Sequence, residues 1–540
     1  MKKPQQIFIF DTTLRDGQQS PGAGMSFQDN LSYAQYAHEL GIDILEAGFP
    51  AASQHDFNIV HAISKNMAAQ NSAMIIAGFC QLREEQIIST MTALQPSLAQ
   101  GKARIHTYVP VDPNLMQASL GKLAVDRSRI ISDVYRLIEL AVAAGFEVEF
   151  SPEGYSRMQD NFDFTTDIFR AAVSAGARII NCPDTIGGAS RWQAKNYFVA
   201  NMQEHANLIA AEFSGREIIW STHCHNDLGL ALDNSLNAAV YGPARQIEGC
   251  INGVGERAGN VSLEQCIMVI DQFGDQIHPD YSFFTNIKLE NLCKISDFIA
   301  EKMLARQPHW PITGRNAARH SSGGHTNAIL KNPLAYQPFN PERVGNKISF
   351  VFGPLSGGNH AKDILDKNGF HCAPEEKALV AQVIKNRYSD RRKGITDEEF
   401  IAGYQEYRAP IKAEKIDYSK DEAGNVNLHI KGDLFAETDL HVSCSGDNSA
   451  LAALDNAVKK YWPSMEIIDY RSNAGAGNTV NAKCISTIVI SIDGCENYIG
   501  KAVDSDITIS AIRAYIDAVN QAYIMKHYRK KEVSYDKEYN

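Results

Sequence analysis

The chain has 540 residues, 44% hydrophobic and 21% charged, which is ordinary globular usage with length for more than one core. Its 63 acidic residues outnumber 52 basic ones, and the formal charge of −11 argues against nucleic acid or anionic lipid as the main partner and suits an enzyme of small molecules. No apolar run approaches the roughly 18 residues a membrane span needs, the start MKKPQQIFIFDTTLRDG lacks a secretory pattern, and the ten cysteines include no Cys-x-x-Cys pair, so a cytoplasmic protein without zinc ribbon or disulfide framework is expected.

From the start to about residue 275, short β-rich runs alternate with segments of helical period, the mark of parallel strands joined by helices. In chain order the expected strands are IFIF (7–10), DILEAGF (43–49), MIIAGF (74–79), ARIHTYV (103–109), EVEFS (147–151), RIINCP (178–183), IIWSTH (218–223) and RQIEGCI (245–251). Between them lie helical patterns such as FQDNLSYAQYAHELG and LALDNSLNAAVYG, several closed by a glycine. Eight such units predict an α/β fold, a closed (β/α)8 TIM barrel over residues 1–275 with its active site on the loops after the strands. An open, doubly wound sheet is the alternative that periodicity leaves.

Residues 276–416 read as helical linker subdomains, with polar, Gly-rich text at GRNAARHSSGGHTNAILKNP (314–333) and a basic run RRKG (391–394) expected to be a solvated helix end. From 417 to 540 the pattern returns to strands such as LHIKGDLF and STIVISIDG, mixed with helices, and predicts a separate C-terminal α+β domain whose charged last dozen residues fray.

The candidate chemistry collects at strand ends. Residues two apart on a strand share a face, so His223 and His225 in HCHNDLG point together into the barrel mouth, either as ligands of one ion or as ordinary polar barrel residues. Barrel closure makes the last two strands neighbours of the first, which lets Asp16 of DTTLRDGQQ and the carbonyl oxygen of Asn260 in NGVGERAGN converge on the same point. Two nitrogens and two oxygens without thiolate suit Mg²⁺, Mn²⁺ or Zn²⁺ with positions left open for catalysis. Arg15, Glu46, His106, Ser151, Glu153, Asp184 and Thr185 are the other polar residues at or near strand ends. For Arg15 and Glu46, a structural salt bridge and an aimed catalytic guanidinium are both open readings.

FDTTLRDGQQSPG, HCHNDLG and NGVGERAGN, in this order on these strands, resemble the metal-dependent Claisen-condensing barrel enzymes, which include the 2-isopropylmalate, homocitrate and citramalate synthases and are related to 3-hydroxy-3-methylglutaryl-CoA lyase. SPEGYSR (151–157), CPDTIGG (182–188), SGGHTNAILKNP (322–333), AYQPFNPERVG (335–345) and a C-terminal domain like the family's regulatory module extend the similarity over nearly the whole chain, in the layout of the 2-isopropylmalate synthase branch. The resemblance implies that Asp16, His223, His225 and Asn260 bind the divalent metal, with monovalent K⁺ as a further expected cofactor. It implies that Arg15 sits beside the keto oxygen of a 2-oxo acid, that Glu46, His106, Ser151 and Thr185 belong to the substrate pocket, and that Glu153 shares the acid/base work. His325 and Tyr336 match the linker residues that complete a site of the partner subunit, so a homodimer with shared sites is implied.

The implied reaction joins acetyl-CoA to 3-methyl-2-oxobutanoate and hydrolyses the thioester. The metal and Arg15 would stabilise charge on the ketone oxygen, and His325, coupled to Glu153 and Tyr336, would take the methyl proton. Rival readings are a synthase using another oxo acid, a retro-aldol lyase, and a non-catalytic metabolite sensor. SSGGH departs from the family by lacking a bulkier apolar residue before the histidine, and HVSCSGDNSALAALD and SNAGAGNTVN match the effector loops only in part, with leucine the expected effector. AGAGN does not lead from a strand into a helix, which excludes it as a nucleotide loop.

Overall fold

The computed structural model describes residues 2–193, 197–391, 393–435, 437–444, 449–474, 483–494 and 496–529. One residue of the basic run, the SGDN segment at 445–448, all of the AGAGN stretch but its first alanine, and most of the charged tail lie outside the described residues. The chain divides into two compact units, Met1–Arg319 with Phe339–Ile348, and His320–Pro338 with Ser349–Asn540.

In the first unit, β1 (Lys3–Gln6) precedes the barrel strands β2 (Phe8–Asp11), β3 (Ile44–Glu46), β4 (Ile75–Gln81), β5 (Ala103–Pro110), β6 (Glu147–Glu153), β7 (Ile179–Asp184), β8 (Ile219–Cys224) and β9 (Ala244–Gly249). Each neighbour pair is parallel, and β9 closes the cylinder on β2 with Phe8 opposite Gln246 and Asp11 opposite Gly249. All eight expected runs are these strands. A small parallel pair, β1 with β10 (Tyr281–Phe284), is additional; KPQQ is polar, contains proline and has no alternation that would mark it as a strand.

The intervening helices bury one face each. Phe27–Leu40 is capped by Ser26, whose side chain accepts from Asp29 N, and buries Tyr33, Ala34, Ala37 and Leu40 against the barrel wall. Burying side chains of this kind stabilises by about 1.5–3 kcal/mol for each large apolar residue, so the apolar layer between strands and helices holds the cylinder. The inside is different. Phe10, Ile44 and Ala77 line one side of the bore, whereas β5 to β9 turn Arg104, Glu149, Ser221 and Gln246 inward, joined by Arg104 Nη1 to Glu149 at 2.9 Å and Gln246 Nε2 to Glu149 at 2.7 Å. A closed polar layer therefore floors the residues above it.

In the second unit, helices Gly358–Lys367, Lys377–Arg387 and Asp397–Arg408 pack Ile364, Leu365, Phe400 and Tyr404 into one core. Two successive three-stranded antiparallel meanders follow, Ile411–Lys420, Val426–Leu434 and Glu437–Cys444, then Met465–Ala474, Cys484–Ile492 and Glu496–Asp504. Each runs into a helix, Ala450–Lys459 or Ile507–Tyr528, and this internal repeat shares one core through Leu428, Ile430, Ile488 and Ile490. No helix among the described residues is long and apolar enough to cross a membrane.

Candidate metal and substrate site

Because β2 to β9 turn every second residue inward, the last inward position of each strand reaches the C-terminal mouth. There a cavity of about 220 Å³ is lined by Arg15, Asp16, His106, Ser151, Glu153, Thr185, His223 and His225, all sequence-predicted, and by Phe79, Tyr108, Asn181 and Glu248, which were not. Glu46 and Asn260 stand behind the lining, each buried against a residue that forms it.

Asp16, His223 and His225 form a buried group of mutually close ligand atoms. The Nε2 atoms of the two histidines are 3.2 Å apart, and each is 4.0 Å from Asp16 Oδ2. An isolated bridge between His225 and Asn260 brings the loop after β9 to the end of β8. Asn260 Nδ2 donates to Asp16 Oδ1 at 2.6 Å, while its Oδ1 is buried without a hydrogen-bond partner. A half-turn of that amide exchanges the two atoms and offers the oxygen to an ion. Two imidazole nitrogens that face each other across 3.2 Å beside a carboxylate oxygen, and an amide oxygen with no hydrogen-bond partner among the described residues, are a donor set that fits a divalent cation.

The charges agree. Burial raises the Asp16 carboxyl, but Arg15, His223 and His225 outweigh it and hold the group below the ordinary carboxylate range. Burial and the neighbouring His223 push His225 down to about 3, leaving a neutral imidazole with a free lone pair. Burial lowers His223 too, but the Glu248 carboxylate opposes it and the net shift is upward.

Arg15 is the hub of the floor. Its Nε donates to Glu46 at 2.6 Å, Nη1 to Asp16 at 2.8 Å and Nη2 to Glu248 at 3.3 Å, and its plane covers the Phe79 ring 4.3 Å from the centroid. Burial disfavours its charge, yet the three carboxylates raise its affinity for the proton, so it is a permanent cation. Glu46 also meets His106 Nδ1 at 2.6 Å, and burial of its carboxyl is outweighed by Arg15 and His106, which bring it to about 2. His106 Nε2 lies 2.8 Å from Ser151 Oγ, which accepts from Asn181 Nδ2 at 3.0 Å. The Arg15–Glu46 salt bridge is present, and the paired guanidinium also lines the cavity.

Glu153 is half-buried at the rim, with its carboxyl raised by burial and by Asp112 against the opposing effect of Arg15. Thr185 Oγ1 accepts from Gly154 N at 2.9 Å and ties the loops after β6 and β7 together. Asp184, also singled out at a strand end, is consumed by its own turn, accepting from Ser156 Oγ and from the amides of Gly188 and Ala189. In the second unit His325, on helix Gly323–Ile329, stacks on Tyr336 with centroids 3.9 Å apart, and both side chains are exposed.

Glu248 and Asn181 carry a signal in the sequence. Each is a polar residue at an inward position of its strand, and Glu248 follows inward Gln246 by two residues as His225 follows His223.

Comparison with known proteins gives the same frame. A model described as HMGL-like matches residues 6–299, one described as homocitrate synthase post-HMGL domain-like matches 312–393, and one described as the LeuA allosteric (dimerisation) domain matches 397–523. Similar curated proteins include the 2-isopropylmalate synthase of Aquifex aeolicus, 32% identical with 97% of each chain covered, and that of Heliobacterium modesticaldum, 33% identical over 96% of this chain and 97% of the other. The 2-isopropylmalate synthase of Pelotomaculum thermopropionicum is 32% identical over 96% of this chain and 98% of its own. A barrel whose mouth gathers these ligands, followed by both accessory domains in this order, belongs to the 2-isopropylmalate synthase branch of the HMGL-like family.

Proposed function

We propose that the chain is an acyltransferase that condenses acetyl-CoA with 3-methyl-2-oxobutanoate and hydrolyses the thioester, releasing 2-isopropylmalate and CoA for leucine biosynthesis in the cytoplasm. The observation that carries this reading is the convergence of Asp16, His223 and His225 beside a buried Arg15 at the floor of a small cavity. We assign residues 1–275 to catalysis, 276–416 to the linker and 417–540 to regulation, with leucine as effector.

Asp16, His223, His225 and Asn260 would hold Mg²⁺, Mn²⁺ or Zn²⁺, which when bound supplies Lewis acidity toward the 2-oxo acid. K⁺ is assigned as an additional cofactor. The guanidinium of Arg15 is fixed by three carboxylates before substrate arrives, so it meets negative charge on the ketone oxygen without reorganising. The cavity floor, bounded by His106, Ser151 and Thr185, receives the oxo acid. Glu153, with its raised carboxyl, exchanges the proton at the rim. His325 and Tyr336 complete the site of a partner subunit in a homodimer, where His325 takes the methyl proton of acetyl-CoA.

Thiol release from acetyl-CoA, measured across 2-oxo acids of increasing side-chain size with and without divalent metal, tests the reading. Turnover that requires metal and is highest with 3-methyl-2-oxobutanoate is expected; no release with any oxo acid overturns it.

A further inference from the structure

Glu248 holds three groups at once. It is fully buried on β9, with Oε1 3.3 Å from Arg15 Nη2 and 3.2 Å from His223 Nδ1, and Oε2 accepting from Asn181 Nδ2 at 2.9 Å. The contact to His223 has ion-pair distance but falls short of hydrogen-bond geometry. His223 has two nitrogens, and only one can point into the metal group; its Nε2 faces His225 Nε2. A carboxylate at Nδ1 keeps the proton on that atom and leaves the Nε2 lone pair aimed at the ion. His225 has no such partner among the described residues, where its buried Nδ1 makes no hydrogen bond. The carboxylate that sets the tautomer of His223 is therefore the same one that fixes the third edge of Arg15.

We infer that Glu248 is a positioning residue that couples the two halves of the site, orienting His223 as a metal ligand and Arg15 as the cation beside the substrate, and that Asn181 aims it. This rests on the metal-dependent reading above. Asn181 donates through one nitrogen to both Glu248 Oε2 and Ser151 Oγ, so the same brace continues to His106 on the far wall. A carboxylate used only to neutralise Arg15 would need neither the His223 contact nor the amide brace, because Asp16 and Glu46 already pair with that guanidinium.

The test is Mn²⁺ titration of the full-length dimer by calorimetry, followed by kinetics. Loss of an outer carboxylate partner lowers metal affinity by about 10–100-fold in comparable sites, and Glu248→Gln is expected to do so while the far-ultraviolet spectrum is unchanged. Asn181→Ala is expected to give a smaller loss of Mn²⁺ affinity and a raised KM for the oxo acid. Wild-type Mn²⁺ affinity in a folded Glu248→Gln overturns the inference; if that variant does not fold, unchanged affinity in Asn181→Ala overturns it. A wild-type protein that binds no Mn²⁺ refutes the metal-dependent reading itself, which is a separate outcome.

Discussion

Asp16 Oδ2 stands 4.0 Å from Nε2 of both His223 and His225, and the three groups come from opposite ends of the barrel sequence. An ion placed among them would cross-link the end of β2 to the end of β8, so its binding would stabilise the closed cylinder. A ligand at 100 times its Kd adds about 2.7 kcal/mol. Scanning calorimetry with Mn²⁺ against chelator should therefore show a metal-dependent rise in melting temperature for the native chain and none for Asp16→Ala or His225→Ala. An undiminished rise in either variant removes that residue from the ligand set.

Glu46 accepts from Arg15 Nε, meets His106 Nδ1 and accepts from the Thr12 hydroxyl, with no solvent access. Deleting one member of such a buried network leaves its partners charged and unpaired, at a cost of about 3–5 kcal/mol. Because Asp16 and Glu248 still face Arg15, Glu46→Ala should fall at the lower end, about 3 kcal/mol by urea denaturation, and Glu46→Gln should lose less stability. A loss in Glu46→Ala too small to resolve would mean that the remaining carboxylates suffice.

The eight barrel strands were legible because β-rich runs alternate with helical segments, several of them closed by a glycine, and strand phase placed His223 and His225 together at the mouth, while His106 and Ser151 stood out as polar residues at strand ends. Asn181 lay inside the apolar run RIINCP and Glu248 two residues after inward Gln246 in RQIEGCI, but neither is paired in the sequence with a second potential ligand as His223 is with His225. The pair β1 and β10 was hidden because four-residue edge strands carry no pattern, and the repeated meander of the second unit was hidden because its halves share hydrogen bonding and burial rather than residues. His325 and Tyr336 came from family likeness alone; an exposed histidine has no spacing partner to announce it.

Gly255 has φ +150°, and a Cβ there would meet Asn260 Nδ2 at 2.1 Å and Asp16 Oδ1 at 2.8 Å. The loop after β9 passes so close to Asn260 and Asp16, two of the proposed ligands, that it admits no side chain. Gly255→Ala should push Asn260 and Asp16 apart, weaken Mn²⁺ affinity at least tenfold in a titration, and leave the helical signal of the barrel in place. Unaltered affinity would show that the loop yields without disturbing the ligands.

If sites are shared between chains, two inactive variants can repair each other. Arg15→Ala removes a barrel residue and His325→Ala a linker residue, so a mixed dimer contains one site lacking both and one site lacking neither. Co-refolded or co-expressed mixtures, purified through two different tags, should regain up to half the native activity per dimer. No recovery in demonstrated mixed dimers would count against sites shared between chains.

His205, on helix Phe198–Glu212, is fully buried, stacked 3.9 Å from Phe162, with Nδ1 2.7 Å from the Tyr155 hydroxyl. Burial pushes it down to about 4 from an ordinary value of 6.5. The unfolded chain therefore binds a proton between these values that the folded chain refuses, and stability falls as pH drops from 6.5 toward 4. The full effect is on the order of 3 kcal/mol, present above 6.5 and lost on the acid side. His205→Gln keeps a partner for Tyr155 without titrating, and urea midpoints measured at pH 7.5, 6, 5 and 4.5 should decline less steeply than in the native chain. Some slope will persist, because His360 in the second unit is likewise brought to about 4 by burial. Equal slopes for variant and native chains would mean that His205 is already neutral in both states over this range, or protonated in both.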